Sequence, residues 1–202
     1  MAKKLLIVKA TDDLCAAELD QLEAIAGMFS IEPTVYEFSN VQKFVDDLGS
    51  KETYDYVYLG AHANPYEFGD SQGKIRVGWN EFGLSLCTAS CLEPECVVLL
   101  GCCRGGLKPV AKALFGSCAA IDYVCGPRWT VRPSDITLGF HVFIYNMESR
   151  KEQPSVAVAR ASQATGYDFF CYDRVEMEDN GGANGISLEE FAAWVVRQSN
   201  KT

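Results

Sequence analysis

Long apolar runs are missing from this 202-residue chain. No segment approaches the roughly 18 consecutive apolar residues of a membrane-spanning helix, so no membrane partner is expected. A surplus of cations is missing too. Lys and Arg number 18 against 27 Asp and Glu, a formal charge of −9. That balance argues against nucleic acid or an anionic lipid surface as the main partner. Internal repeats and a composition break are also missing, so residues 1–202 read as one domain, long enough to bury a full core. The start, Met1 to Val8, is basic and apolar, but Lys9 ends its run short of the ~7–15 residues of a signal-peptide core. It reads as a first strand. Zinc-type spacing is missing among Cys87, Cys91 and Cys96, and no His lies beside them, so neither metal nor cofactor is expected. Asp179–Glu190 is rejected as a calcium loop because Gly181 and Ala183 stand where oxygen ligands are needed.

What is present is an ordinary globular composition, 48% hydrophobic and 22% charged. The nine cysteines, an odd number, fit reduced thiols in a cytoplasmic protein better than a disulfide framework. Apolar patterning alternates between strand and helix. Strands are expected at Lys4–Val8, Thr34–Phe38, Tyr56–Gly60, Val97–Leu100 and Ala120–Val124. Helices are expected at Ala16–Phe29, Val41–Leu48, Leu107–Phe115, Ser134–Met147 and Ser155–Thr165. This order predicts an α/β fold, with a mostly parallel sheet covered by helices on both faces. Asn64–Arg76 and the acidic Glu176–Gly185 read as loops. A last helix is expected after Ser187 and Glu190, which fit a capping box.

In parallel sheets the functional site lies at the carboxyl ends of the strands. Two polar residues stand there. His62 ends the run that begins at Tyr56, and Cys103 ends the run that begins at Cys96. A thiolate is a strong nucleophile, and a neighbouring imidazole can generate it by taking the proton. Strand alternation turns Cys102 the other way, into the packing. Gly105 and Gly106 are expected to allow a tight turn and close approach of a substrate backbone. The amides of Ala63 and Cys103 are candidates for an oxyanion hole. His141, inside an apolar helix, reads as structural. Trp129 and Phe140 read as packing residues before contacts, and Asp135 can equally be a helix N-terminal acid.

The stretch Gly101-Cys102-Cys103-Arg104-Gly105 resembles the caspase signature around the catalytic Cys, with its His expected about 50 residues upstream. Gly126–Thr137, then Phe140–Tyr145 and Pro154–Ala161, resemble the Trp-x-Val segment and later helices of the prokaryotic CHAT domains. The likeness runs from about Tyr56 to Thr165. It implies a caspase-like three-layer α/β/α sandwich and a cysteine endopeptidase with Cys103 as nucleophile and His62 as base. Ala63 departs from the usual Gly after that His. The resemblance also implies substrate binding by Asp135, Arg104 and Trp129. Asp135 is the nearest candidate to select a basic residue, with Ser134 the alternative at that position. Arg104, Arg128 and Arg132 would serve an aspartate preference instead. A protein substrate is implied, in a regulated effector of a prokaryotic defence or signalling system, activated by a partner protein or a nucleotide-type signal. Two other readings stand beside it. One is a non-catalytic binding module on the same fold. The other is a receiver-like domain using Lys9–Asp13.

Overall fold

The computed structural model describes residues 2–11, 16–49 and 52–179. The capping box at Ser187, the residues from Gly181 to Gly185, and Asp12 and Asp13 lie outside them. In chain order the elements are β1 (Lys4–Lys9), α1 (Ala16–Met28), β2 (Glu32–Glu37), α2 (Val41–Leu48), β3 (Tyr54–Gly60), β4 (His62–Ala63), β5 (Glu67–Gly69) and β6 (Arg76–Gly78). Then come α3 (Trp79–Ala89), β7 (Leu92–Gly101), α4 (Lys108–Ser117), β8 (Ile121–Pro127), α5 (Pro133–Glu148), α6 (Pro154–Thr165), β9 (Phe169–Asp173) and α7 (Arg174–Asp179).

Six strands form the main sheet in the order β2-β1-β3-β7-β8-β9. All neighbours pair parallel except β8 with β9. The period of two along each strand sorts side chains to opposite faces. Leu5 and Ile7 of β1 join Tyr58 of β3, Leu22 of α1, Phe140 of α5 and Ala157 of α6. Leu6 and Val8 join Leu59, Phe44 of α2, Phe82 of α3 and Leu114 of α4. The result is the expected α/β/α sandwich. No described helix is long and apolar enough to cross a membrane.

Three departures from the expected elements matter. The stretch expected as a loop at Asn64–Arg76 contributes to a separate antiparallel sheet, β4-β5-β6. Strands of two or three residues carry no readable periodicity, and Asn64 makes the turn. Its Oδ1 accepts the Tyr66 and Glu67 amides at 2.8 and 3.1 Å, an Asx-type arrangement. Helix α3 follows directly and buries Trp79, Phe82 and Leu86. The start of the expected acidic loop at Glu176 is helical, within α7. Strand β9 and helix α7 close the sheet's far edge. Arg174 fastens them, donating from Nε to the Ile121 carbonyl at 2.8 Å and from Nη1 to that of Phe115 at 3.0 Å. Its Nη2 also reaches the Cys118 carbonyl.

Candidate active site

The chain leaves β1 toward β2 on one side and returns to β3 on the other, so the β1–β3 boundary is a topological switch point. Crevices form at the carboxyl ends of strands at such points. Gly60 of β3 and Gly101 of β7 are partners in register. His62 and Cys103 each follow two positions later, so adjacent strands deliver them to equivalent places. Both line one cavity of about 140 Å³, together with Thr11 and Glu18 after β1, and Val131 and Pro133 after β8.

The Cys-Cys doublet divides as alternation predicts. Cys102 is buried in the core on the α3–α4 face, where burial pushes its thiol far up. Cys103 borders the opposite core and is only partly covered. Its thiol lies 3.9 Å from the Val131 carbonyl. The turn after it is fixed from β8 and its sequel. The Arg104 amide donates to the Trp129 carbonyl at 3.2 Å, and the Gly106 amide to that of Pro127 at 2.9 Å. Arg104 sits at φ 63°, in the left-handed region. A Cβ on Gly106 would stand 2.0 Å from the Gly126 carbonyl oxygen. The close approach expected of a substrate backbone is therefore made by the chain's own β8. Glycine at 101 has a similar cause, since a Cβ there would meet the Tyr58 hydroxyl at 2.1 Å.

His62 is exposed and opens β4. The following loop is anchored by the Trp79 indole, which donates to the Asn64 carbonyl at 3.2 Å. The Asn64 amide bonds the Glu67 carbonyl at 2.9 Å. Bonded and non-bonded pairs alternate in an antiparallel ladder. The next pair, Ala63 with Phe68, is thus non-bonded, and the Ala63 amide faces away from β5. The Cys103 amide makes no backbone bond among the described residues.

Sequence reading missed Glu18. It sits in the first turn of α1, only 4% exposed, and lines the cavity that holds Cys103 and His62. Its Oε1 accepts a hydrogen bond of 2.7 Å from the Tyr58 hydroxyl. Burial raises the Glu18 carboxyl above its ordinary range, and the Tyr58 bond draws it partly back. Burial also pushes the Tyr58 hydroxyl well up, and the Glu18 carboxylate adds to this. An acid in a helix's first turn ordinarily answers the helix dipole at the surface. Only the fold makes this one a buried group.

The fold resembles that of a C11 cysteine protease. The solved structure is a secreted C11 cysteine protease from Bacteroides thetaiotaomicron, in complex with an irreversible peptide inhibitor. The match has a TM-score of 0.63 at 12% identity, over 87% of this chain and 67% of that one. At that identity the likeness establishes the caspase-like α/β fold. No family model and no curated protein matches the sequence.

The remaining candidates lie outside the shared cavity. Asp135 is in the first turn of α5, and its Oδ2 accepts from Arg132 Nε at 2.9 Å. Arg104 is exposed. Arg128 packs over the rings of Trp129 and Phe170, at 5.4 and 5.2 Å from their centroids. Trp129, expected mainly as packing, is 56% exposed. Phe140 is buried as expected, edge-on to Tyr58 at 5.4 Å. His141 Nε2 lies 3.3 Å from the Gln21 carbonyl, linking α5 to α1. Burial lifts the Cys91 thiol to about 12, as befits a packing residue in the core.

Proposed function

We propose that this chain is a cysteine endopeptidase with a Cys103–His62 dyad, folded as one peptidase domain. The observation that carries the reading is the cavity the two residues share at the ends of paired strands. His62 takes the thiol proton, and the Cys103 sulfur adds to the scissile carbonyl carbon. The oxyanion that forms is held by the amides of Cys103 and Ala63. As the C–N bond breaks, His62 returns the proton to the leaving amine. A water then gives its proton to His62 and attacks the thioester. The new acid leaves and the thiol is restored, so the net reaction adds one water to one peptide bond.

The buried carboxylate of Glu18 supports selection of Lys or Arg on the acyl side of the cut. None of Arg104, Arg128 and Arg132 lines the cavity, which disfavours an aspartate preference. Asp135, next to the lining residue Ile136, is compensated by its ion pair with Arg132, so Glu18 is the acid within the cavity. Exposed Trp129 offers an apolar face to the residues before the cut. The setting we infer is a cytoplasmic effector acting on proteins and activated by a partner or a nucleotide-type signal. The eight described cysteines are all free thiols, in keeping with a reducing compartment.

The test is a proteome-derived peptide cleavage profile, run with wild type and Cys103→Ala. Cleavage after Lys or Arg by wild type alone is expected. Equal cleavage by Cys103→Ala, or a profile dominated by Asp before the cut, would contradict the reading.

A further inference from the structure

We infer that the cavity framed by β4, β5 and β6 receives the part of the substrate after the cleaved bond, and that it favours a basic residue there. This rests on the peptidase reading above. Beyond it, three observations carry the inference.

The first is position. A second cavity, of about 310 Å³, opens beside the one holding Cys103. Among the described residues, His62 is the one that lines both. In the peptidase reading the acyl part stays on Cys103, while the amine departs with the proton from His62. A chain running from Cys103 past His62 therefore enters the second cavity with its leaving half. The cavity's walls are built rather than incidental: His62 pairs with Gly69 and Glu67 with Gly78 across the three strands.

The second is charge. Glu67 and Asp70 bring carboxylates to this cavity, and Arg76 brings one guanidinium. The Arg76 Nε donates to Glu67 Oε1 at 3.1 Å, so these two compensate each other. Asp70 stands outside any ion pair among the described residues. Its Oδ1 accepts the Ile75 amide at 3.1 Å. Its other oxygen has no partner among those residues, so no cation of the described protein compensates its charge. The third is chemistry. Cleavage turns an uncharged amide into an α-amine with a pKa of about 8, cationic at neutral pH. A net-negative cavity beside His62 attracts that product end as well as a Lys or Arg side chain. The neighbouring cavity, with Glu18, does the same for the acyl side. Together they describe a cleft matched to a run of basic residues spanning the cut.

The experiment uses quenched fluorescent peptides identical up to the cleaved bond and carrying Lys, Ala or Asp in the two positions after it. A companion substrate ends in an aminocoumarin and has no residues after the bond. For wild type, kcat/KM for the Lys peptide should exceed that for the Asp peptide at least about tenfold, a preference within reach of one charged contact. Asp70→Asn keeps an oxygen to accept the Ile75 amide and should bring the two rates within about threefold, with the aminocoumarin rate unchanged. Equal Lys and Asp rates in wild type, or a preference untouched by Asp70→Asn, would overturn the inference while leaving the peptidase standing. Failure to cut any of the peptides, the aminocoumarin substrate included, would instead remove the peptidase reading and this inference with it.

Discussion

Glu18 is where charge and burial conflict most sharply. Its carboxyl is enclosed in the wall of the cavity that Cys103 also lines, and burial raises its pKa. A cationic side chain entering the cavity would relieve that conflict by pairing with the anion. Replacing Glu18 by Gln keeps the shape and removes the charge. We expect kcat/KM for Lys and Arg peptides to fall about 10- to 100-fold, while neutral peptides change little, as measured on matched substrates. The pH dependence has a definite sign. A raised pKa means that the fold favours the protonated acid. That stabilisation is complete below the unfolded-chain pKa and fades as pH rises through the raised value. Binding of a basic side chain runs the other way and strengthens as pH rises through the same value. Removing the Tyr58 hydroxyl leaves Glu18 without its donor. Tyr58→Phe should lower stability by about 1–3 kcal/mol in a denaturant titration. It should also move the acid limb of the Lys-peptide pH profile upward. A downward shift would contradict the assignment. His62 and Cys103 were readable in sequence because each ends a strand-like apolar run. Glu18 was not, because its burial depends on how α1 crosses the sheet.

At the level of elements, the site is held from several directions. The turn bearing Cys103 leans on β8 and the segment after it, and the loop after His62 leans on the Asn64 turn and Trp79. Strand β8 in turn depends on the closure of the sheet's edge, where Arg174 serves the end of α4 and the start of β8. Arg174→Ala should cost about 2–4 kcal/mol, because it orphans carbonyls that a charged donor now satisfies. Thermal unfolding checks this, and a change under about 0.5 kcal/mol would show that α7 is not a fastener. The long strands and helices were legible because five or more residues of consistent period suffice to fix a face. The short hairpin was not. Its pairing comes from Asn64 and from α3 packing beneath it, and its strands are too short to show a period. Strand β9 did carry a signal, the run Phe169-Phe-Cys-Tyr, and its antiparallel direction follows from a short return after α6. The break in β7 hid that strand's true length. Glu95 lies at φ 64° and the register with β8 shifts at Cys96.

At the scale of the whole molecule, one sheet collects residues from four strand ends into one cleft. Thr11 and Glu18 follow β1, His62 follows β3, Cys103 follows β7 and Val131 follows β8. The β-α order made this edge the expected place, and the switch point between β1 and β3 is why a crevice exists there. The fold is shared with a C11 cysteine protease despite 12% identity, so the claim for this chain depends on its own His62 and Cys103. The most direct measurement is covalent labelling by a peptide acyloxymethyl ketone that carries Lys next to the reactive carbon, read by intact mass and peptide mapping. The account predicts one adduct per chain, on Cys103, abolished in Cys103→Ala and slowed at least about 100-fold in His62→Ala. Labelling spread over the other thiols, or labelling of Cys103 at the same rate without His62, would contradict it.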